Sequence, residues 1–108
     1  MNYSVRISAQ AEDDILNIVD FISEYDLPYA IQFASDVPDF ISEKLCYLPY
    51  KYSKYTEKLP AHLTEFEGSV RKLVFNKKTV IYYMIDEDEK FVIVLHVKPA
   101  KKPLEIIK

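Results

Sequence analysis

The segment VLHVKPAKKP (residues 94–103) places His96, one of two histidines, at the end of an apolar run and follows it with Lys98, Lys101 and Lys102 between Pro99 and Pro103. An imidazole among cations suits acid-base chemistry on an anion such as a phosphate ester, in which a hydroxyl loses its proton, a pentavalent phosphate is stabilised and the leaving oxygen is protonated. Arg71 opens another apolar run and joins the group if the two runs lie together at one end of a sheet. The structural alternative makes His96 a partly buried strand residue satisfied by one hydrogen bond, and the lysines a solvated tail kept from helix by its prolines. A second pattern, YLPYKYSKYTEK (47–58), interleaves Tyr47, Tyr50, Tyr52 and Tyr55 with Lys51, Lys54 and Lys58. Such a run can stack bases and hold phosphates, or its tyrosines can anchor a loop to the core. His62 has no evident partner, and Cys46, near an apolar helix stripe, reads as a buried structural thiol.

The elements that must position these groups follow from periodicity. YSVRIS (3–8) alternates apolar and polar residues as a half-buried strand does. Ser8 can cap a helix from about Ala9 to Tyr25, with Glu12, Asp13 and Asp14 near its positive end and Ala11, Ile15, Ile18, Ile22 and Tyr25 as its apolar stripe. Asp26 and Pro28 start a second helix with the stripe Ala30, Ala34, Val37, Ile41, Leu45 and Leu48. Pro38 inside it predicts a kink or two short helices, and the pair should form an antiparallel hairpin. Residues 49–69 lack a period and read mostly as a long loop. VRKLVFN (70–76), TVIYYMID (79–86) and FVIVLHV (91–97) read as three strands in a meander. With the first strand returning to the same sheet, the fold class is α+β: a helical hairpin on one face of a mainly antiparallel, roughly four-stranded sheet. TVIYYMI is apolar at both parities, so a second sheet face must meet the long loop, a C-terminal segment, a second subunit or a partner chain.

Composition narrows the classes. One domain spanning 1–108 is expected, because 108 residues divide into halves too small for separate cores. With 49% hydrophobic and 29% charged residues, the chain is of the folded, water-soluble type. A single cysteine excludes an intrachain disulfide, and with two histidines a structural zinc site is not expected. Gly68 is the one glycine, so neither a GxGxxG nor a Walker loop exists and no cofactor is expected. There is no internal repeat, and neither a leader nor a membrane-spanning run, which makes the expected location cytoplasmic. The net charge is -3, but residues 1–48 hold two basic residues against nine carboxylates, whereas residues 49–108 hold twelve against eight. An anionic partner is drawn to the second half.

ISAQAEDDILNIVDFI, the YLP that ends the second helix, VRKLVFNKKTVIYYMID and FVIVLHVKPAKKP, in that order, resemble the RelE/ParE family of toxins from bacterial toxin-antitoxin modules. The resemblance spans roughly residues 3–103 and implies a RelE-like fold. It also implies a cognate antitoxin that wraps the toxin in a hetero-oligomer. RelE-like members are metal-free ribonucleases that cut mRNA in the ribosomal A site, and ParE-like members poison DNA gyrase without a catalytic set. Carried over, Arg71 matches the first basic position of the RelE pattern, Leu73 and Thr79 stand where further basic residues are expected, and Lys98 or Lys101 follows the last strand. No closing tyrosine follows the tail, and the LH pair is closer to ParE-like and plasmid-stabilisation members. The reading is a type II toxin acting as an mRNA interferase, with His96 and Arg71 catalytic and Lys72, Lys77, Lys78, Lys98, Lys101 and Lys102 gripping nucleic acid or antitoxin. Gyrase inhibition, or a degenerate module that only binds antitoxin, is the alternative, and a pI near 5.4 weighs against the ribonuclease.

Overall fold

The computed structural model describes residues 2–100. Strand β1 (Ser4–Ile7) passes directly into helix α1 (Ala9–Ser23), where the Ser8 hydroxyl accepts the Ala11 N–H at 3.1 Å as the N-cap. The helix stops two residues short of the expected Tyr25, and Asp26 caps helix α2 (Leu27–Leu45) by accepting the Tyr29 N–H at 3.1 Å. Pro38 does not divide α2, which runs through it as one helix. A helix-interior proline costs about 3 kcal/mol, whereas each large apolar side chain buried contributes about 1.5–3 kcal/mol. Phe33, Val37, Ile41 and Leu45 are all buried on one face, so packing outweighs the lost hydrogen bond.

Strands β2 (Arg71–Phe75), β3 (Thr79–Asp86) and β4 (Phe91–Pro99) form the meander. The sheet order is β1-β4-β3-β2, with β1 parallel to β4 and the other pairs antiparallel. The helical hairpin packs Ala11, Ile15, Phe33, Val37, Ile41 and Leu45 against Leu73, Ile81, Tyr83, Val92, Val94 and Val97. The opposite face is covered by the α2–β2 connector itself, whose Tyr55, Leu59 and Leu63 lie over Val70, Val80 and Tyr82. Of the covers open in the sequence, the long loop is the one seen among the described residues. Nor is the connector structureless. It holds 3-10 turns at Pro49–Lys51 and Ala61–Phe66 and pairs with the outer edge of β2, where Tyr55 N–H donates to Val70 at 2.8 Å and Lys72 N–H to Ser53 at 2.9 Å.

Two irregularities of β4 prepare the site. Tyr83 pairs with Val94 and Tyr82 with His96, so Leu95 is an extra residue, a bulge. A single inserted residue reverses the facing of everything beyond it. Val92 and Val94 face the helices, as does Val97, while His96 turns toward the connector beside Tyr82. In addition, β1 ends at Ile7 opposite Val94, whereas β4 continues to Pro99. Beyond Val94 that edge of β4 has no strand beside it among the described residues.

Candidate functional site

The open edge of β4 needs acceptors for its backbone N–H groups, because a buried unpaired donor costs about 1–3 kcal/mol. Asp14, on the second turn of α1, supplies one. Its Oδ2 accepts the Val97 N–H at 3.0 Å and lies 2.9 Å from His96 Nδ1, while its Oδ1 accepts Lys98 Nζ and Gln10 Nε2, each at 2.9 Å. The carboxyl is 1% exposed. Burial alone raises its pKa, but the hydrogen bonds from His96, Lys98, the Val97 backbone and Gln10 outweigh burial and hold it below the usual value. It is therefore a carboxylate at neutral pH, acceptor only, which places a proton on His96 Nδ1.

That proton fixes what the other ring nitrogen can do. His96 Nε2 lies 3.1 Å from Nε2 of His62, in the 3-10 turn Ala61–Phe66. The ring centroids are 5.4 Å apart, little more than the Nε2 separation plus the two ring radii, so the imidazoles meet head-on. Two lone pairs aimed at each other do not converge on a third atom, and one nitrogen must donate a hydrogen to the other. Asp14, His96 and His62 thus form a file from the core to the surface: the first two are buried, and His62 is exposed. Among the described residues no group of three His, Cys, Asp or Glu side chains is placed to hold a metal ion.

Of the other sequence-derived site residues, Lys72 lies in the same cross-strand row as Tyr82 and His96. At about 4.8 Å per strand it stands roughly 10 Å from His96 in backbone terms. Tyr82 between them is a phenol whose pKa is pushed up to about 12, chiefly by burial and further by Tyr55 and Glu57. Lys77 and Lys78 form the exposed β2–β3 turn at the sheet end where β4 finishes, and Ala100 N–H donates to Lys78 at 2.8 Å. Lys98 is occupied by Asp14. Arg71 is not brought to His96. It pairs with Tyr83 on the helix side, and its Nη1 donates to the carbonyls of Tyr52 at 2.7 Å and Tyr50 at 3.3 Å, tying down the start of the connector. Leu73 and Thr79 are buried. Lys101 and Lys102 lie outside the described residues. Of the interleaved tyrosines, Tyr55 is buried against Tyr82 as an anchor, whereas Tyr47 and Tyr50 are exposed.

Sequence reasoning missed Asp14 and His62 as members of the site. Asp14 carried a signal: three residues after Ala11 and four before Ile18, it sits in the apolar stripe, where a charge is buried only with partners. His62 carried none, since its partner is 34 residues away.

No family model matches the chain, and no curated protein matches it. Solved structures do. A chain of the toxin-antitoxin complex RelBE2 from Mycobacterium tuberculosis is similar over 94% of this chain and 95% of that one, with a TM-score of 0.65 and 19% identity. A chain of the chromosomal ParDE toxin-antitoxin system from P. aeruginosa is similar over 92% and 97%, with a TM-score of 0.70 and 15% identity. The chain has the RelE/ParE-like fold. At such identities the likeness concerns the path of the backbone, and the activity must be argued from the side chains.

Proposed function

We propose that this chain is the toxin of a type II toxin-antitoxin module and that, free of its antitoxin, it cleaves mRNA without a metal ion. The observation that carries the reading is the file Asp14–His96–His62. Capping the Val97 N–H explains Asp14, but it does not require a second imidazole aligned head-on with His96. A carboxylate that fixes the tautomer and orientation of an imidazole is the arrangement general acid-base chemistry uses. Lys72, Lys77 and Lys78, with Lys101 and Lys102 of the tail, supply cations for the phosphate backbone, and Arg71 acts at a distance by holding the connector that carries His62. The antitoxin is read from the two similar structures, which come from toxin-antitoxin assemblies. An acidic segment of it would meet the same lysines.

The rival is a gyrase inhibitor with no catalytic residues. It is favoured by the enclosure of His96, which is 2% exposed and has both ring nitrogens engaged. Inducing the chain without antitoxin, while following labelled amino acid and labelled thymidine separately, decides between them. Early loss of protein synthesis with cut mRNA is expected. Early loss of DNA synthesis with intact mRNA would transfer the assignment to gyrase.

A further inference from the structure

The enclosure of His96 raises a difficulty for any substrate contact. Its Nδ1 is held by Asp14, its Nε2 by His62, and almost none of its surface reaches solvent. A 2′-hydroxyl cannot approach within hydrogen-bond distance of either nitrogen while His62 is in place. His62 has the opposite situation. It is exposed, its Nε2 points inward at His96, and its Nδ1 has no partner among the described residues.

We infer that His62, through Nδ1, is the catalytic base that touches the RNA, and that His96 and Asp14 are positioning residues that accept and stabilise the proton behind it. The inference rests on the ribonuclease reading and names the reacting atom within it. In the resting state Asp14 accepts the His96 Nδ1–H, and His96 Nε2 accepts the His62 Nε2–H, which leaves a lone pair on His62 Nδ1 facing outward. His62 Nδ1 takes the 2′-hydroxyl proton while its Nε2 proton passes to His96, giving an imidazolium against the Asp14 carboxylate. The 2′-oxygen forms a bond to the adjacent phosphorus, the bond from phosphorus to the 5′-oxygen breaks, and that oxygen takes a proton from water. The products are a 2′,3′-cyclic phosphate and a 5′-hydroxyl. The proton on His96 returns through His62 to the hydroxide left in solvent, so no net proton or electron is gained.

Placing the contact on the connector also explains why that segment is built so firmly. A base must be held within a few tenths of an ångström of its productive position. Leu59 and Leu63 flank His62 in sequence and are both buried, and Lys72 N–H and Tyr55 N–H pair the connector with β2. The exposed ring therefore stands on an anchored base.

The test is cleavage of mRNA on programmed ribosomes by the full chain and three variants, each with and without added imidazole. His62→Ala, at an exposed position, is expected to fold and to lose about 10²–10⁴-fold in rate. Free imidazole should restore at least tenfold, because the vacated site opens to solvent. His62→Gln, which keeps an N–H for His96 but has no base, should be as slow as the alanine variant. His96→Ala should also be slow but unresponsive to imidazole, since its site is closed. Cleavage by His62→Ala within twofold of the parent chain would overturn the inference and leave the ribonuclease reading intact. Absence of cleavage by the parent chain itself would overturn both.

Discussion

Asp14 is the residue on which the site's stability and chemistry converge. Its carboxylate serves four donors at once, the Val97 N–H at the open edge of β4 among them. Replacing Asp14 by Asn removes the charge that Lys98 and His96 face and offers only one acceptor oxygen. The variant is expected to lose about 3 kcal/mol, within the range for breaking a buried pair, read from urea unfolding at pH 7. The pH dependence has a definite sign. Because the folded-state pKa of Asp14 lies below its unfolded value, the unfolded chain binds the proton more readily as acid is added. The stability it confers is complete well above the unfolded pKa of about 3.9 and is lost as pH falls through that value toward the lower, folded one. The urea midpoint of the parent chain should fall between pH 5 and pH 3 more steeply than that of Asp14→Asn. Equal slopes would mean that the carboxyl is not held down in the fold.

The connector between α2 and β2 is where the sequence was hardest to read and where the structure adds most. The strand and helix periods of the remaining elements were legible because each buries one face against a neighbour of regular geometry: Ala11, Ile15 and Ile18 on α1, and the two-faced run from Val80 to Ile85 on β3. Residues 49–69 have no period because a segment spread over a sheet face buries residues at irregular intervals: Tyr55, Leu59, Leu63 and, after the turn, Val70. The bulge at Leu95 was equally silent. No glycine marks it, yet it decides which face His96 occupies. If the connector is part of the core, Leu63→Ala should cost about 2–5 kcal/mol, the range for a buried leucine. A mobile loop would tolerate the change within about 0.5 kcal/mol, as surface positions do. Because Leu63 adjoins His62, the variant should also slow RNA cleavage by more than its unfolded fraction explains, which comparison of rates with the folded population at each temperature would show.

Across the whole molecule, charge is arranged along the strands as well as between the halves of the chain. Asp86 closes β3 and the β3–β4 turn carries Glu87, Asp88 and Glu89, with Glu87 accepting from Tyr3 and Tyr50 at 2.8 Å each and pairing with Lys90. The opposite end carries Lys77 and Lys78, next to Pro99, where the lysine-bearing tail begins. A net negative protein can still present a positive end to a polyanion, because exposed charges act over about one Debye length, some 8 Å at physiological salt. Lys77 strengthens the case for a binding surface. It adopts φ 63°, after Asn76 at φ 55°, in the three-residue connection between Phe75 and Thr79, in the left-handed region that favours glycine. A lysine there costs about 1 kcal/mol in backbone strain, and among the described residues its exposed side chain has no hydrogen-bond or ion-pair partner. Exchanging Lys77 and Lys78 together for Glu should leave the thermal midpoint within a few degrees but weaken binding to mRNA-programmed ribosomes. If each lysine neutralises one phosphate of single-stranded RNA, the slope of log K against log salt should become shallower by about 1.4. An unchanged slope would place the contact elsewhere on the basic half, and the tail lysines would be the next pair to exchange.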